Sequence, residues 1–198
     1  MIPRQFLITV TMPFVLTLAM SVYVWRLQRR EMRSPLLSDK TEHVAPPTTG
    51  RMEQVTVFVA SDNPGELREK SISIPLAAGR QQRAEALLRG VMSFYTTKES
   101  THPLSPGAEI RQVFLVDPGL VVIDVNPAFV AGQISGVLAE ELTIASLVQT
   151  LASNMPELTR VKILVDGKQQ ETLAGHADLT GFYDVQQIAE VVKELSAQ

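Results

Sequence analysis

Cysteine is absent from the chain. That excludes disulfides, thiolate-ligated zinc, iron–sulfur centres and a thiol nucleophile. It also excludes the acylated cysteine by which bacterial lipoproteins are anchored. Histidine is scarce, with three residues (His43, His102 and His176). A histidine-based metal cluster would therefore need His102 and His176 to converge with carboxylates. No phosphate loop, dinucleotide fingerprint or His-Glu-x-x-His pair is present. Gly132-Gln133-Ile134-Ser135-Gly136 misses the spacing of a nucleophile elbow by one residue. No cofactor is expected. Positive charge is also short in the main body, where residues 51–198 carry 12 Lys and Arg against 18 Asp and Glu, a net −6. An acidic body lacks the electrostatic footprint of a nucleic-acid binder, so no such partner is expected.

What is present is a chain of 198 residues, 45% apolar and 20% charged. That is the composition of one globular domain with an appendage. The appendage is Phe6–Trp25, an uncharged run of 20 residues. At about 1.5 Å per residue such a helix spans the roughly 30 Å of a bilayer's hydrocarbon core. Tyr23 and Trp25 suit the headgroup layer at one end, and Pro13 would kink the helix. The alternative is a cleaved signal peptide with Ala19-Met20-Ser21 as its small-residue site, but Val22–Trp25 beyond the cut is apolar rather than polar. Residues 1–33 thus read as a membrane anchor in contact with lipid. Its flank holds Arg26, Arg29, Arg30 and Arg33 against Arg4 on the other side. By the positive-inside rule this flank places the body in the cytoplasm. Residues 34–52, rich in Pro, Ser and Thr, read as a flexible tether that includes His43.

Residues 53–198 read as the folded domain. Gln54–Ala60 alternates and is β-branched, so it predicts a strand. Asp62-Asn63-Pro64-Gly65 predicts a turn and Leu67–Ile74 a second strand. From Gln81 to Tyr95, Ala84, Leu87, Leu88, Val91, Phe94 and Tyr95 recur at helical spacing. Glu109–Val116 and Leu120–Val125 flank Asp117-Pro118-Gly119, a hairpin signal. A helix is predicted from about Ser135 to Asn154 and ends before Pro156, with Glu140 and Glu141 toward solvent. Arg160–Val165 and Gln169–Leu173 predict a hairpin around Asp166-Gly167, a pair that favours positive φ at both positions. Asp184 and Gln187 resemble a capping box opening a last helix through Val185, Ile188, Val192 and Leu195. The order defines an α+β fold with a small mixed or antiparallel sheet and helices packed on it.

The chemistry-bearing residues that stand out are Asp166, Gly167, His176 and Asp178. An imidazole with two carboxylates could bind a ligand or cation, or form an acid–base pair. The structural alternative has Asp166 making the turn while His176 and Asp178 satisfy backbone groups. Asp124 ends a strand. Arg80, Arg83 and Arg89 could meet lipid or a partner, or form an ordinary solvated face.

Leu164-Val165-Asp166-Gly167-Lys168, followed by Glu171-Thr172-Leu173-Ala174-Gly175, resembles the C-terminal signature of the GerMN domain, a spore-germination and sporulation type module of bacterial envelope proteins. Val55–Val59, Ala84–Gly90, Leu104–Val116, Val121–Phe129 and Leu142–Leu151 resemble its other segments in order, covering about residues 54–179. The resemblance implies a fold akin to ring-building modules and a position outside the cytoplasmic membrane, opposite to the side the arginine flank favours. It implies no catalytic residues. It points to a non-enzymatic envelope protein acting through self-association or an envelope protein partner. The residues themselves keep open a ligand-binding or hydrolytic cell-wall module using Asp166, His176 and Asp178.

Overall fold

The computed structural model describes residues 50–116 and 118–195. The predicted span Phe6–Trp25, its arginine flank and most of the tether lie outside the described residues. Among those described, no helix is long and apolar enough to cross a membrane.

β1 (Met52–Ser61) and β2 (Glu66–Pro75) pair antiparallel along their full length, from Met52 opposite Pro75 to Ser61 opposite Glu66. Gly65, at φ +93, closes the turn between them. α1 (Arg80–Tyr95) buries Ala84, Leu87, Leu88, Val91 and Tyr95 of the predicted stripe and adds Met92, while Phe94 is half-buried. β3 (Ile110–Val116) and β4 (Leu120–Val125) form the expected antiparallel hairpin. Asn126 then caps the short helix α2 (Pro127–Ala131), its side chain accepting from the Phe129 N–H. After α3 (Val137–Asn154), β5 (Arg160–Val165) returns parallel to β4, with Leu120 opposite Arg160. β6 (Tyr183–Asp184) pairs antiparallel with β5 and leads into α4 (Val185–Leu195). Asp184 caps that helix by accepting from Gln186 N and Gln187 N. The fold is therefore α+β, with one two-stranded sheet and one mixed sheet in the order β3-β4-β5-β6. The parallel β4–β5 pair is made possible by the long helical crossover between its strands.

α3 is the centre of the packing. Leu142, Ile144, Leu147, Val148 and Leu151 join the core, and every residue from Leu142 to Val148 is buried. Within it runs a polar stripe, Ser146, Thr150 and Asn154, spaced by one helical turn. This stripe meets the open edge of β1. Ser146 Oγ donates to Phe58 O at 2.6 Å, Phe58 N donates to Thr150 Oγ1 at 2.9 Å, and Asn154 Nδ2 donates to Thr56 O at 2.7 Å. Tyr95 extends the row from α1, its hydroxyl accepting from Ala60 N at 2.8 Å. Burial pushes that hydroxyl's pKa up to about 12, ahead of the hydrogen bonds that oppose it. Side chains thus take the backbone groups that a third strand would otherwise pair.

The second hairpin departs from expectation. Asp166 and Gly167 do adopt positive φ, at +52 and +71, and Lys168 bridges back to Val165. Beyond that the chain leaves β5, and Gln169–Leu173 forms no strand. β5 takes β6 as its partner instead. Gln169, Gln170 and Glu171 supply no apolar alternation to hold them on the sheet.

Thr150→Val keeps the side chain's shape but strands the buried Phe58 N–H. It should cost about 1–3 kcal/mol in a denaturant titration of the full chain, with an unchanged m-value. An unchanged midpoint would contradict the pairing.

Candidate functional site

Glu140 lies in the first turn of α3 and its side chain is fully buried. A charge there must be matched by donors, because desolvating a lone carboxylate is prohibitive. Five are present. Oε2 accepts from Ala174 N, His176 N and Ala177 N, each at 2.9 Å. Oε1 meets His176 Nδ1 at 2.9 Å and Gly136 N at 3.2 Å. Gly175 at φ +118 gives the curl that turns these loop amides inward. Burial raises the Glu140 pKa, but the bonds from Ala177, the His176 ring, Ala174 and the His176 amide outweigh it and bring the value down to about 2. The expectation that Glu140 and Glu141 both face solvent is corrected. Glu141 is exposed, whereas Glu140 falls on the buried side with Ile144, Leu147 and Leu151. That 4, 7 and 11 spacing was the available signal.

A second buried charge holds the next stretch of the same loop. Lys162, on β5, is 8% exposed, and its Nζ donates to the carbonyls of Leu179, Thr180 and Gly181 at 2.7, 2.7 and 3.2 Å. Asp178 lies between the two anchor points. It accepts from Thr180 N at 2.7 Å, and the Thr180 hydroxyl and amide, with the nearby Lys162 charge, hold its pKa below the usual carboxylate range despite an opposing desolvation effect. The Tyr183 hydroxyl donates to Asp178 O at 2.6 Å.

His176 and Asp178 therefore share one loop, and both line a groove of about 340 Å³ between α3 and α4. Ile144, Ala145, Phe182, Ile188 and Val191 give it apolar walls, and Glu141 and Tyr183 complete its polar rim. Burial first, then the charges of Asp178, Glu140 and Glu141, push the Tyr183 pKa up to about 12. Asp166 and Gly167 stand elsewhere, at the end of the β4–β5 pair. The Arg111 guanidinium bonds Asp166 and lies 3.7 Å from Asp124 Oδ2, while Gly167 N donates to Asp124 Oδ1 at 2.7 Å. Thus His176 bonds Glu140, and Asp166 bonds Arg111.

His102 makes a different arrangement. Its Nδ1 lies 2.5 Å from Asp62 Oδ1 and its Nε2 lies 2.6 Å from Thr143 Oγ1. The order carboxylate, imidazole, hydroxyl is that of an activated nucleophile. Here it is sealed, with His102 at 1% and Thr143 at 0% exposure. Thr143 Oγ1 also donates to Gln133 Oε1 at 2.7 Å. The chain of bonds ties the β1–β2 turn to α3. The α1 arginines are paired with carboxylates, Arg80 with Glu157, Arg83 with Glu53 and Arg89 with Glu85. Among the described residues, no group of three or more His, Asp or Glu is placed to hold a metal ion.

Fold and site together define a small α+β module whose buried charges shape an acidic, apolar-walled groove. The chain belongs to the Germane family, described as sporulation and spore germination, whose model matches residues 56–171. That match lies within the stretch carrying the GerMN resemblance. A candidate lipoprotein of Clostridium perfringens is similar at 14% identity and TM-score 0.47, covering 72% of this chain and 97% of that one. The tandem GerMN domains of the sporulation protein GerM from Bacillus subtilis are similar at 14% identity and TM-score 0.49, covering 66% of this chain and 45% of that one. The first GerMN domain of the same protein is similar at 14% identity and TM-score 0.44, covering 65% and 94%. No curated protein matches the chain.

Glu140 has its pKa lowered from 4.5 to about 2. The unfolded chain therefore takes up the proton first as acid is added. Stability from this group is complete above about pH 4.5 and is lost as pH falls toward about 2, on the order of 3 kcal/mol. Glu140→Gln should remove about 2–3 kcal/mol at pH 7 and abolish that part of the acid dependence. Parallel stability–pH curves for the two proteins would contradict the assignment.

Proposed function

We propose that this chain is a membrane-anchored, non-enzymatic envelope protein whose GerMN-type domain acts by contact with other proteins, a second copy among them. The observation that carries the reading is the division of labour at the site. Two groups with catalytic chemistry are committed to structure, since Glu140 is saturated by loop donors and His102 is sealed between Asp62 and Thr143. With its pKa near 2, Glu140 is a poor general base at neutral pH. Meanwhile apolar side chains that line the groove stand open, with Phe182 at 54% and Val191 at 38% exposure. Contiguous exposed apolar surface with a polar rim is the signature of an interaction site. The anchor is Phe6–Trp25, with the domain at 53–198 on the extracytoplasmic side. The arginine flank supports the opposite orientation.

A second reading, a ligand-binding or hydrolytic cell-wall module, draws on the sharing of one groove by His176 and Asp178. The two readings separate in one experiment. A photo-crosslinking residue replaces Phe182 or Val191 in the full chain in cells, with Glu69 on β2 as the control position. Discrete protein adducts are expected from the first two positions and none from the third. Absence of adducts at both groove positions would overturn the interaction reading. Cell-wall glycan cleavage lost on His176→Ala would establish the alternative.

A further inference from the structure

The groove has more definition than an apolar patch. On α3, Glu141, Ile144 and Ala145 follow one another at spacings of three and one, so they share a face over about one helical turn. On α4, Ile188 and Val191 line it from the other helix, and Phe182 lines it as well. α4 is incompletely covered. Val185, Ile188, Ala189 and Val192 are half-buried, and Val191 is exposed. Two helical walls with an open apolar floor make a receptor for a third helix presenting side chains at i, i+3, i+4 and i+7.

Charge decides the kind of helix. Glu141 and Asp178 both line the groove, the buried Glu140 charge lies behind it, and Glu190 and Glu194 stand exposed on α4. Two of the cations nearby are otherwise engaged. Lys162 is held by three carbonyls, and the Arg160 guanidinium stacks 5.3 Å over the Phe182 ring. Lys193 is exposed on α4, and His176 faces Glu140. Carboxylates arranged along an apolar cleft select Lys or Arg and repel anionic lipid headgroups.

We propose that the groove between α3 and α4 receives a cationic amphipathic helix of a protein partner, its apolar side chains on Ile144, Ile188 and Val191 and its Lys or Arg side chains on Glu141 and Asp178. This rests on the interaction reading above and names the partner's chemistry.

The test uses a fluorescent helical peptide of Leu and Lys, about 15 residues long, titrated by anisotropy against the full chain in zwitterionic nanodiscs. Empty discs supply the background. Glu141→Lys and Val191→Asp should each weaken binding about tenfold. Glu69→Lys, which changes the net charge equally on β2, should leave it unchanged. The same peptide with Glu in place of Lys should not bind. Equal losses from Glu141→Lys and Glu69→Lys, or binding of the acidic peptide, would overturn the proposal. If the Lys peptide is rejected while crosslinks form from Phe182, the partner's chemistry is wrong and the interaction reading stands. If both fail, both fall.

Discussion

The structure turns on one buried carboxylate. Glu140 brings a full charge into the first turn of a helix that is otherwise core, and such a charge is tolerable where enough donors surround it. Its donors come mostly from a loop without regular structure, so satisfying Glu140 and shaping residues 174–177 are the same event. Lys162 does the complementary thing to residues 179–181, collecting carbonyls where Glu140 collects amides. The segment is strung between a buried anion and a buried cation, each matched to one half of the backbone's hydrogen-bonding capacity. The groove follows from this, because Phe182 and Tyr183 come directly after the lysine-held carbonyls and lead into α4.

α3 solves a related problem on its other side. A two-stranded sheet leaves an open edge, and an open edge invites pairing with another chain. Ser146, Thr150 and Asn154 cover the β1 edge with side-chain donors and acceptors, one per turn. The helix is therefore apolar toward the core, polar toward β1 and anionic toward the loop. At the α3–α4 groove the covering of these helices is incomplete.

Local order in this chain is readable from its residues. Most of the α1 stripe, the β3–β4 hairpin, the positive φ of Asp166 and Gly167 and the cap at Asp184 follow from short-range rules and occur as expected. Gln169–Leu173 fails as a strand because its turn was right but its side chains offered the sheet nothing apolar. The site was harder. Asp166, His176 and Asp178 lie close in sequence, yet His176 is bonded to Glu140 and Asp166 to Arg111 across long separations. Proximity along the chain carried no information about those partners. Glu140 beside Glu141 looks like a solvated pair, and its register on the apolar stripe, which marks it as buried, needs the helix's packing to be interpreted. The parallel pairing of β4 with β5 is equally non-local.

Backbone hydrogen exchange tests the central claim, that the Glu140 carboxylate organises the loop and through it the groove. Exchange at the amides of residues 174–183 is compared between the full chain and Glu140→Gln at one pH. The account predicts protected amides at Ala174, His176 and Ala177 in the native protein, lost in the variant and accompanied by faster exchange through Tyr183, with β4 and β5 unchanged. Equal protection of the loop in both proteins would contradict it.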